Sequence, residues 1–370
     1  MKNRLYFKFA MSALCSFTLL SVFNYALAKD WPMFGLNCSR TGCLQGESLQ
    51  PKGKLKWVYE VGAEINSSPA VVGDKVYFGS DNGTVYALDS KTGKEIWTLK
   101  TEHIVDSSPA VKDNVVYIGG RNSKFYAINI KDGTVKWTFD AGDRISSSPV
   151  INGNKIYFGS WDGKIYALNI SDGSLAWKYS TGDRVMSSPA ISNNTVYAGS
   201  HDRNLYAVNA NSGKLQWKFR SGNFIMSPPA VYKGIVYIGS WDKNIYALNA
   251  SKGSVKWKRA TGETVGRAIS IDANRVYTVS DDKHIYCFDM NSGKIIWKKN
   301  LGGLIAGSSP VIAGNILYVG SADGNIYAFN ALNGAKKWSY KTGAPVMSTP
   351  VLSNGILYAA SHDGRLYAIE

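Results

Sequence analysis

One recurring position in this sequence of 370 residues holds the side-chain types that could do chemistry. It precedes a short turn in each copy of an internal repeat, at a spacing of 40 residues with a single 41. Its occupants are Asp81, Arg121, Trp161, His201, Trp241, Asp281, Ala322 and His362. Aromatic, cationic and acidic side chains in one series favour recognition of a partner. The alternative interpretation is that these residues are unconstrained on an exposed rim.

No catalytic or metal-ligating set accompanies this series. The four histidines fall in different repeats and lack the close spacing of metal ligands: His103, His201, His284 and His362. No Gly-x-Ser-x-Gly motif occurs. Cys287 occupies a position that holds alanine in the other copies, so we predict a small buried core residue there. We therefore expect binding rather than catalysis, and no metal site.

The elements that position the variable series are short strands. Two aromatic series define the repeat: Tyr77, Tyr117, Tyr157, Tyr197, Tyr237, Tyr277, Tyr318 and Tyr358, and Trp57, Trp97, Trp137, Trp177, Trp217, Trp257, Trp297 and Trp338. Each copy contains four pieces rich in Val, Ile and Tyr, such as SSPAV, KVYFGS, TVYALD and KEIWTLK from Ser67 onward. These pieces predict strands joined by hairpins, and a four-stranded unit of about 40 residues is typical of a propeller blade. We predict an all-β, eight-bladed β-propeller with four-stranded antiparallel blades.

The two aromatic series are out of phase, and this offset predicts how the ring closes. Residues 347–370 supply three strands, and residues 54–60 supply one strand of the fourth type. Pairing of these terminal strands completes one blade, so residues 29–370 form one domain with residues 29–53 as an N-terminal cap segment. Proline in the SSP segments predicts an edge strand that lines the channel. The Asn-Gly and Asp-Gly dipeptides predict tight primed turns.

A second variable series lies in the segments between consecutive repeats. These segments lead into the inner strands, so their side chains are candidates for the channel mouth: Glu64, Asp106, Arg144, Arg184, Phe224, Glu263 and Arg267. Arg267 also breaks the SSP pattern, which indicates either a functional deviation or decay of the repeat. Three methionines share one register position and are expected to pack near the channel: Met186, Met226 and Met347.

The N-terminus predicts export. Lys2, Arg4 and Lys8 form a basic start, an apolar stretch follows, and residues 26–28 (Ala-Leu-Ala) fit a signal-peptidase site. We therefore predict a signal peptide at residues 1–28 and a periplasmic or secreted protein without a transmembrane segment. Leu14-Cys15 is a poor lipoprotein cleavage context, so no lipid anchor is expected. Cys38 and Cys43, in NCSRTGC, are close enough in sequence to form a small disulfide loop in an oxidising compartment.

The formal charge falls from +15 to +12 once the three basic residues of the signal are removed. This excess favours anionic partners such as envelope polymers. The alternative is that lysines protect the outer edge strand of each blade from aggregation, and Lys136, Lys178 and Lys218 are placed for that role. No basic cluster is interleaved with aromatic residues, so no nucleic-acid partner is predicted.

The motif Ala87-x-Asp89-x-x-Thr92-Gly93-x-x-x-Trp97 resembles the tryptophan-docking motif of the pyrroloquinoline-quinone (PQQ)-type propellers. Trp31-Pro32-Met33-Phe34-Gly35 resembles the usual opening of that family. The family includes quinoprotein dehydrogenases, the outer-membrane assembly lipoprotein BamB and sensor domains of bacterial kinases.

The resemblance implies one of two functions. The first is a non-catalytic scaffold like BamB, without a cofactor, that presents its variable rim to a protein or an anionic envelope polymer as a monomer within a larger complex. The alternative is a PQQ-dependent dehydrogenase with Ca²⁺ held by carboxylates. In that case Arg144 or Arg184 would clamp the quinone, and Trp161 or Trp241 would stack on it.

Overall fold

The computed structural model describes residues 30–44, 49–302 and 308–370, and the predicted signal peptide lies outside these residues. Every regular element within them is a β-strand. The inner strands are β3 (Ala70–Val72), β7 (Ala110–Lys112), β11 (Val150–Asn152), β15 (Ala190–Ser192), β19 (Ala230–Tyr232), β23 (Ser270–Asp272), β27 (Val311–Ala313) and β31 (Val351–Ser353). The second strands are β4 (Lys75–Gly79), β8 (Val115–Gly119), β12 (Lys155–Gly159), β16 (Thr195–Gly199), β20 (Ile235–Gly239), β24 (Arg275–Ser280), β28 (Ile316–Gly320) and β32 (Ile356–Ala360). The third strands are β5 (Thr84–Asp89), β9 (Lys124–Asn129), β13 (Lys164–Asn169), β17 (Asn204–Asn209), β21 (Asn244–Asn249), β25 (His284–Asp289), β29 (Asn325–Asn330) and β33 (Arg365–Ile369). The outer strands are β6 (Glu95–Lys100), β10 (Val135–Asp140), β14 (Leu175–Ser180), β18 (Leu215–Arg220), β22 (Val255–Ala260), β26 (Ile295–Asn300), β30 (Lys336–Lys341) and β2 (Leu55–Glu60), while β1 (Cys43–Leu44) precedes them all.

The strands described here form eight antiparallel four-stranded sheets, and β1 adds to one of them in parallel beside β27. We number the sheets blades 1 to 8, starting with the blade of β3–β6. Blade 8 combines β31, β32 and β33 with β2 from the N-terminus. In that blade Leu55 pairs with Ile369 and Trp57 pairs with Ala368. The predicted eight-bladed propeller and its closure by the two termini are confirmed.

The burial pattern explains the order of strands within a blade. The third strand β5 is buried over most of its length, whereas the outer strand β6 exposes most of its residues. The second and third strands therefore pack against both neighbouring blades, and the outer strand faces solvent. Lys136, Lys178 and Lys218 are exposed on the outer strands, as expected for charged edges that resist pairing with another chain.

The tryptophan of each outer strand packs against the next blade. The indole N–H of Trp97 donates to the carbonyl of Ile130 at 3.0 Å. A Cβ on Gly133 would lie 2.9 Å from the Trp97 ring, and Gly133 has φ +76°, so only glycine fits there. The last tryptophan, Trp338, donates to the carbonyl of Pro51 at 2.8 Å and joins the closing blade to its neighbour.

The serines of the SSP segments link the blades around the channel. The hydroxyl of Ser67 donates to the carbonyl of Ser107 at 2.9 Å, and the N–H of Ser68 donates to the hydroxyl of Ser108 at 2.9 Å. The same bonds recur between further blades, and the N–H of Thr349 donates to the Ser68 hydroxyl at 2.9 Å across the closure. Seven of the eight inner strands begin directly after a proline, at the inner edge of the sheet, as predicted, while β23 follows Ile269.

The turn between the second and third strands differs from the prediction. The N–H of Gly83 donates to the carbonyl of Ser80 at 3.0 Å, and the N–H of Ser80 donates to the carbonyl of Thr84 at 3.1 Å. Gly83 has φ +78°, while Asn82 is not in the left-handed region. This is a three-residue loop built from a type I turn and one left-handed residue, so the prediction of a primed two-residue turn was wrong.

Residues 30–44, which we call the cap, cover the rim opposite those turns. Carbonyls of the cap accept N–H groups from inner strands of successive blades: Trp31 from Val71, Pro32 from Val111, Cys38 from Ile191, Ser39 from Val231, Thr41 from Ile271 and Gly42 from Ile312. Arg40 is buried at the centre of the cap. Its guanidinium donates to the carbonyls of Phe34, Ser148 and Pro189.

The predicted disulfide between Cys38 and Cys43 is not formed, and both thiols are free. The cause is the extended path of the cap. Cys38 packs in blade 4 beside Ile191, whereas Cys43 pairs with Ile312 in blade 7. The thiol of Cys43 instead lies 3.8 Å from a carboxylate oxygen of Asp272.

Candidate functional site

The two variable series meet at the uncapped rim. In each blade of the arc described below, the N–H of the variable turn residue donates to a carbonyl in the segment that enters the blade. Trp161 donates to Arg144 at 2.9 Å, His201 to Arg184 at 3.0 Å, and Trp241 to Phe224 at 3.0 Å. The type I turn and the entering segment thus hold their side chains next to each other.

Six of the candidate residues form a continuous surface across blades 3 to 5, which we call the aromatic arc: Arg144, Trp161, Arg184, His201, Phe224 and Trp241. The guanidinium carbons of Arg144 and Arg184 lie 5.2 and 4.8 Å from the centre of the Trp161 ring. The imidazole of His201 stacks on Phe224 with ring centres 4.8 Å apart and an interplanar angle of 10°. Phe224 also contacts Trp241, at 5.8 Å between ring centres.

The aromatic arc has unpaired polar groups. Within the described part of the chain, neither Arg144 nor Arg184 forms an ion pair with a carboxylate. The indole N–H of Trp161 and Nε2 of His201 are buried and have no hydrogen-bond partner. Trp241 is 38% exposed, which is high for an indole. Burial lowers the pKa of His201, Asp183 opposes this shift and Arg184 adds to it, so the imidazole is neutral at pH 7.

The other rim candidates are engaged in local contacts and lie outside the arc. Arg121 forms an ion pair with Asp106 at 2.7 Å. His362 contacts Glu64 at 3.6 Å between Nδ1 and a carboxylate oxygen. Asp281 accepts a short hydrogen bond from the hydroxyl of Thr264. Each of these residues thus has a local partner, whereas Arg144 and Arg184 of the arc have no carboxylate partner among the described residues.

A central cavity of about 310 Å³ opens at the same rim. Phe34 of the cap also lines this cavity. One side of the wall is polar, with Asn66, Asp106 and Ser146, and the other contains Met186, Met226 and Pro228. The methionines therefore lie at the channel, as expected. The sequence analysis did not predict that Phe34 and Pro228 line the cavity. For Pro228, the sequence Ser-Pro-Pro in blade 5, in place of the usual Ser-Ser-Pro, could have indicated a different cavity wall.

Arg267 lines this cavity beside Gly266 and Ala268. Its side chain forms no hydrogen bond or ion pair with the described residues. The side chain is half-buried at the cavity wall. Burial lowers the pKa of Arg267, and Asp281 partly opposes that effect.

The described residues contain no group of three or more His, Cys, Asp or Glu side chains arranged to hold a metal ion. The arginines expected to clamp a quinone, Arg144 and Arg184, instead lie over the Trp161 ring at the rim.

The family model of the outer membrane protein assembly factor BamB matches residues 47–258 and 258–370. The chain belongs to this family. Among solved structures, this BamB-family propeller is similar to BamB from Moraxella catarrhalis, with a TM-score of 0.75, 21% identity, and coverage of 85% of this chain and 98% of that one.

The BamB-family propeller also resembles the quinohemoprotein alcohol dehydrogenase from Comamonas testosteroni, with a TM-score of 0.78, 16% identity, and coverage of 92% of this chain and 80% of that one. The computationally designed protein Ika8 matches with a TM-score of 0.74 and 19% identity, covering 86% of this chain and 99% of that one. At these identities the likeness shows a shared fold. No curated protein matches the sequence. Among the described residues, no helix has the length and apolarity needed to cross a membrane.

Proposed function

We propose that this BamB-family propeller is an exported, non-catalytic binding protein of the cell envelope that holds a protein partner against the aromatic arc. The observation that supports this proposal most directly is the stacking of two unpaired guanidinium groups on Trp161. Tryptophan and arginine are the residues most enriched among those that dominate binding energy at protein interfaces. The family's name, outer membrane protein assembly factor, fits a role within an assembly complex in the envelope.

The arc is preorganised for binding. Arg144 and Arg184 hold the Trp161 ring between neighbouring blades, and the His201–Phe224 stack continues the surface towards Trp241. Rigid aromatic side chains lose little conformational entropy on association. The blade framework also fixes the backbone through the bonds between each turn and its entering segment. The arc is therefore ready to bind without rearrangement.

The positive charge of the aromatic arc favours a partner with an acidic surface. The arc presents two unpaired guanidinium groups and no unpaired carboxylate among its six members. A complementary surface would offer carboxylates to Arg144 and Arg184 and an apolar or aromatic group to Trp241. A folded envelope protein with an acidic loop has this combination, and the propeller would serve as one subunit of a larger complex.

Site-specific photocrosslinking in the native envelope tests the proposal. A benzophenone amino acid replaces Trp241 in the arc or, as the matched control, Ala322 at the same turn position in blade 7. We expect a protein adduct from position 241 and none of the same mass from position 322. In the Trp161→Ala background the yield from position 241 should fall about tenfold or more, since a central aromatic anchor contributes 2 kcal/mol or more. Equal adducts from both positions, or an unchanged yield in Trp161→Ala, would contradict the proposal.

A further inference from the structure

Blade 6 departs from the other blades at the channel wall. In four other blades a serine at this position donates its hydroxyl to the next blade, as Ser227 does to the carbonyl of Arg267 at 2.8 Å. Blade 6 has Arg267 there, which cannot make that bond to the next blade. The following residue is Ala268, whose N–H still donates to the hydroxyl of Ser309 at 3.0 Å. Blade 6 therefore lacks one link of the serine rings and carries a cation in its place.

The replacement also introduces a cation at the cavity wall. Arg267 is half-buried there, and its side chain has no hydrogen-bond or ion-pair partner among the described residues. A partly desolvated charge without a partner destabilises a fold unless an ion or a ligand compensates it. Asp281 is the acidic residue whose charge acts on Arg267, and its carboxylate is already bonded to Thr264. We therefore expect Arg267 to reduce the stability of the unliganded protein.

The rest of the wall defines what could compensate that charge. Asp106 and Arg121, the other charged residues of the cavity, neutralise each other in an ion pair at 2.7 Å. Arg267 therefore leaves the cavity with one net positive charge. Beside it in blade 5 lie Met226 and Pro228, which are apolar, and methionine adapts to the shape of whatever it contacts.

Gly266 joins the cavity wall to the aromatic arc. The equivalent position holds Asn66, Asp106, Ser146, Met186 and Met226 in blades 1 to 5, and each of those side chains lines the cavity. At Gly266 there is no side chain, and the indole of Trp241 takes up the neighbouring space, since a Cβ there would lie 3.2 Å from its Nε1. The cavity therefore reaches the arc directly beside Arg267.

We propose that the central cavity binds a carboxylate with an apolar group attached, with the carboxylate on the Arg267 guanidinium and the apolar group against Met186 and Met226. Guanidinium binds carboxylate through two parallel hydrogen bonds, a geometry that lysine cannot match. The volume of about 310 Å³ is that of a small-ligand pocket, at the lower end of the usual range of about 300–1,000 Å³. Because the cap, with Phe34, lies on the opposite rim, we expect the ligand to enter and leave at the uncapped rim. The site does not depend on the protein partner of the arc.

Two sources share this chemistry, a small organic acid and the C-terminus of a peptide. Isothermal titration of the mature protein uses four probes: 4-phenylbutyrate, 4-phenylbutyramide, a tripeptide that ends in phenylalanine with a free carboxylate, and the same tripeptide amidated. We expect at least one acid to bind at least tenfold more tightly than its amide. Binding of the free-acid tripeptide alone would identify a chain terminus as the source, and binding of phenylbutyrate would identify a small acid.

The decisive variant is Arg267→Ser, which restores the residue found in other blades and should fold with a higher melting temperature. We expect it to lose at least tenfold in affinity for the acid, while Arg220→Ser, at an exposed outer-strand end, keeps the wild-type affinity. In protein labelled at methionine methyl groups, the acid should shift the signals of Met186 and Met226. Equal affinity for acid and amide, equal affinity in wild type and Arg267→Ser, or no binding of either acid at millimolar concentration would overturn the proposal.

Discussion

Replacing Arg40 by methionine should release the cap from the propeller. The guanidinium of Arg40 donates to three elements at once: the carbonyl of Phe34 within the cap at 2.5 Å, that of Ser148 at 2.7 Å and that of Pro189 at 2.5 Å. A fourth bond, to the carbonyl of Pro149, measures 3.2 Å. Methionine has a similar length and no donor, so the four carbonyl groups would be left without this partner.

The size of the effect follows from those bonds. A hydrogen bond with one charged partner contributes about 1.5–3 kcal/mol, and such values do not add fully within one network. The methionine variant also removes the cost of burying a cation, since burial lowers the pKa of Arg40 to about 9 and the group is still charged at neutral pH. We expect a net loss of about 3 kcal/mol, or a fall in melting temperature of about 4–5 °C for a chain of this size.

The reactivity of Cys43 reports whether the cap is bound to the propeller. Cys43 is buried under the inner strands, and burial, together with Asp272, raises the pKa of its thiol to about 12. A neutral alkylating reagent should therefore modify Cys43 slowly in the reduced wild-type protein and much faster in Arg40→Met. Mass spectrometry of the peptides measures both rates, and Arg220→Met serves as the control because Arg220 is exposed on an outer strand.

Two results would refute this reasoning. One is a melting temperature of Arg40→Met within about 1 °C of wild type. The other is a Cys43 that stays protected in a destabilised Arg40→Met, because the arginine would then stabilise the blades without holding the cap. Loss of protection in Arg220→Met as well would show that labelling reports global unfolding.

Three further predictions concern the repeat and its cofactor alternative. Gly253→Ala should destabilise the protein by about 2–3 kcal/mol, because the new Cβ would lie 2.5 Å from the Trp217 ring. Gly234→Ala is the matched control, with a similar positive φ but open space around it, and should cost about 1 kcal/mol. Chemical denaturation measures both free energies of unfolding. Asp202→Asn should cost about 1 kcal/mol at pH 7. Burial opposes ionisation of Asp202, but hydrogen bonds from Tyr206 and from backbone N–H groups lower its pKa overall. The carboxylate therefore stabilises the fold above the unfolded-state pKa of 3.8, and the difference from wild type should vanish as the pH falls through the folded-state pKa. Finally, Ca²⁺ with PQQ should produce neither a calcium-dependent quinone spectrum nor dye reduction, and either signal would favour the dehydrogenase alternative.

The fold could be predicted from the sequence because the same residue types make the same packing contacts in every blade. Tyr77 and its counterparts are buried, and each outer-strand tryptophan needs a glycine in the next blade, as Trp97 needs Gly133. A spacing of 40 residues between such residues therefore fixes the size of the blade. The phase offset of the two aromatic series then fixes which strands close the ring, and the pairing of Trp57 with Ala368 confirms it.

The cap could not be predicted in detail because it has no second copy in the sequence. Its path depends on backbone bonds to six inner strands around the channel and on one buried arginine, and none of these leaves a periodic signal. Cys38 and Cys43 illustrate the consequence. A separation of five residues is compatible with a small loop, but the cap is extended, and Arg40 between them points into the propeller. Local spacing predicts a disulfide only where the chain between the cysteines is free to turn.

The aromatic arc was hidden for a different reason: it is produced by two series that each look irregular alone. A turn residue contacts the entering segment of its own blade, 17 residues earlier, and that of the next blade, 23 residues later. Trp161 thus meets Arg144 and Arg184, and His201 meets Arg184 through its backbone and Phe224 through its ring. Arg121 differs because its guanidinium forms an ion pair with Asp106, 15 residues earlier, which neutralises its charge. An almost uniform ring of blades can therefore present a one-sided binding surface, because recognition depends on which residues meet at each blade junction and not on any single repeat.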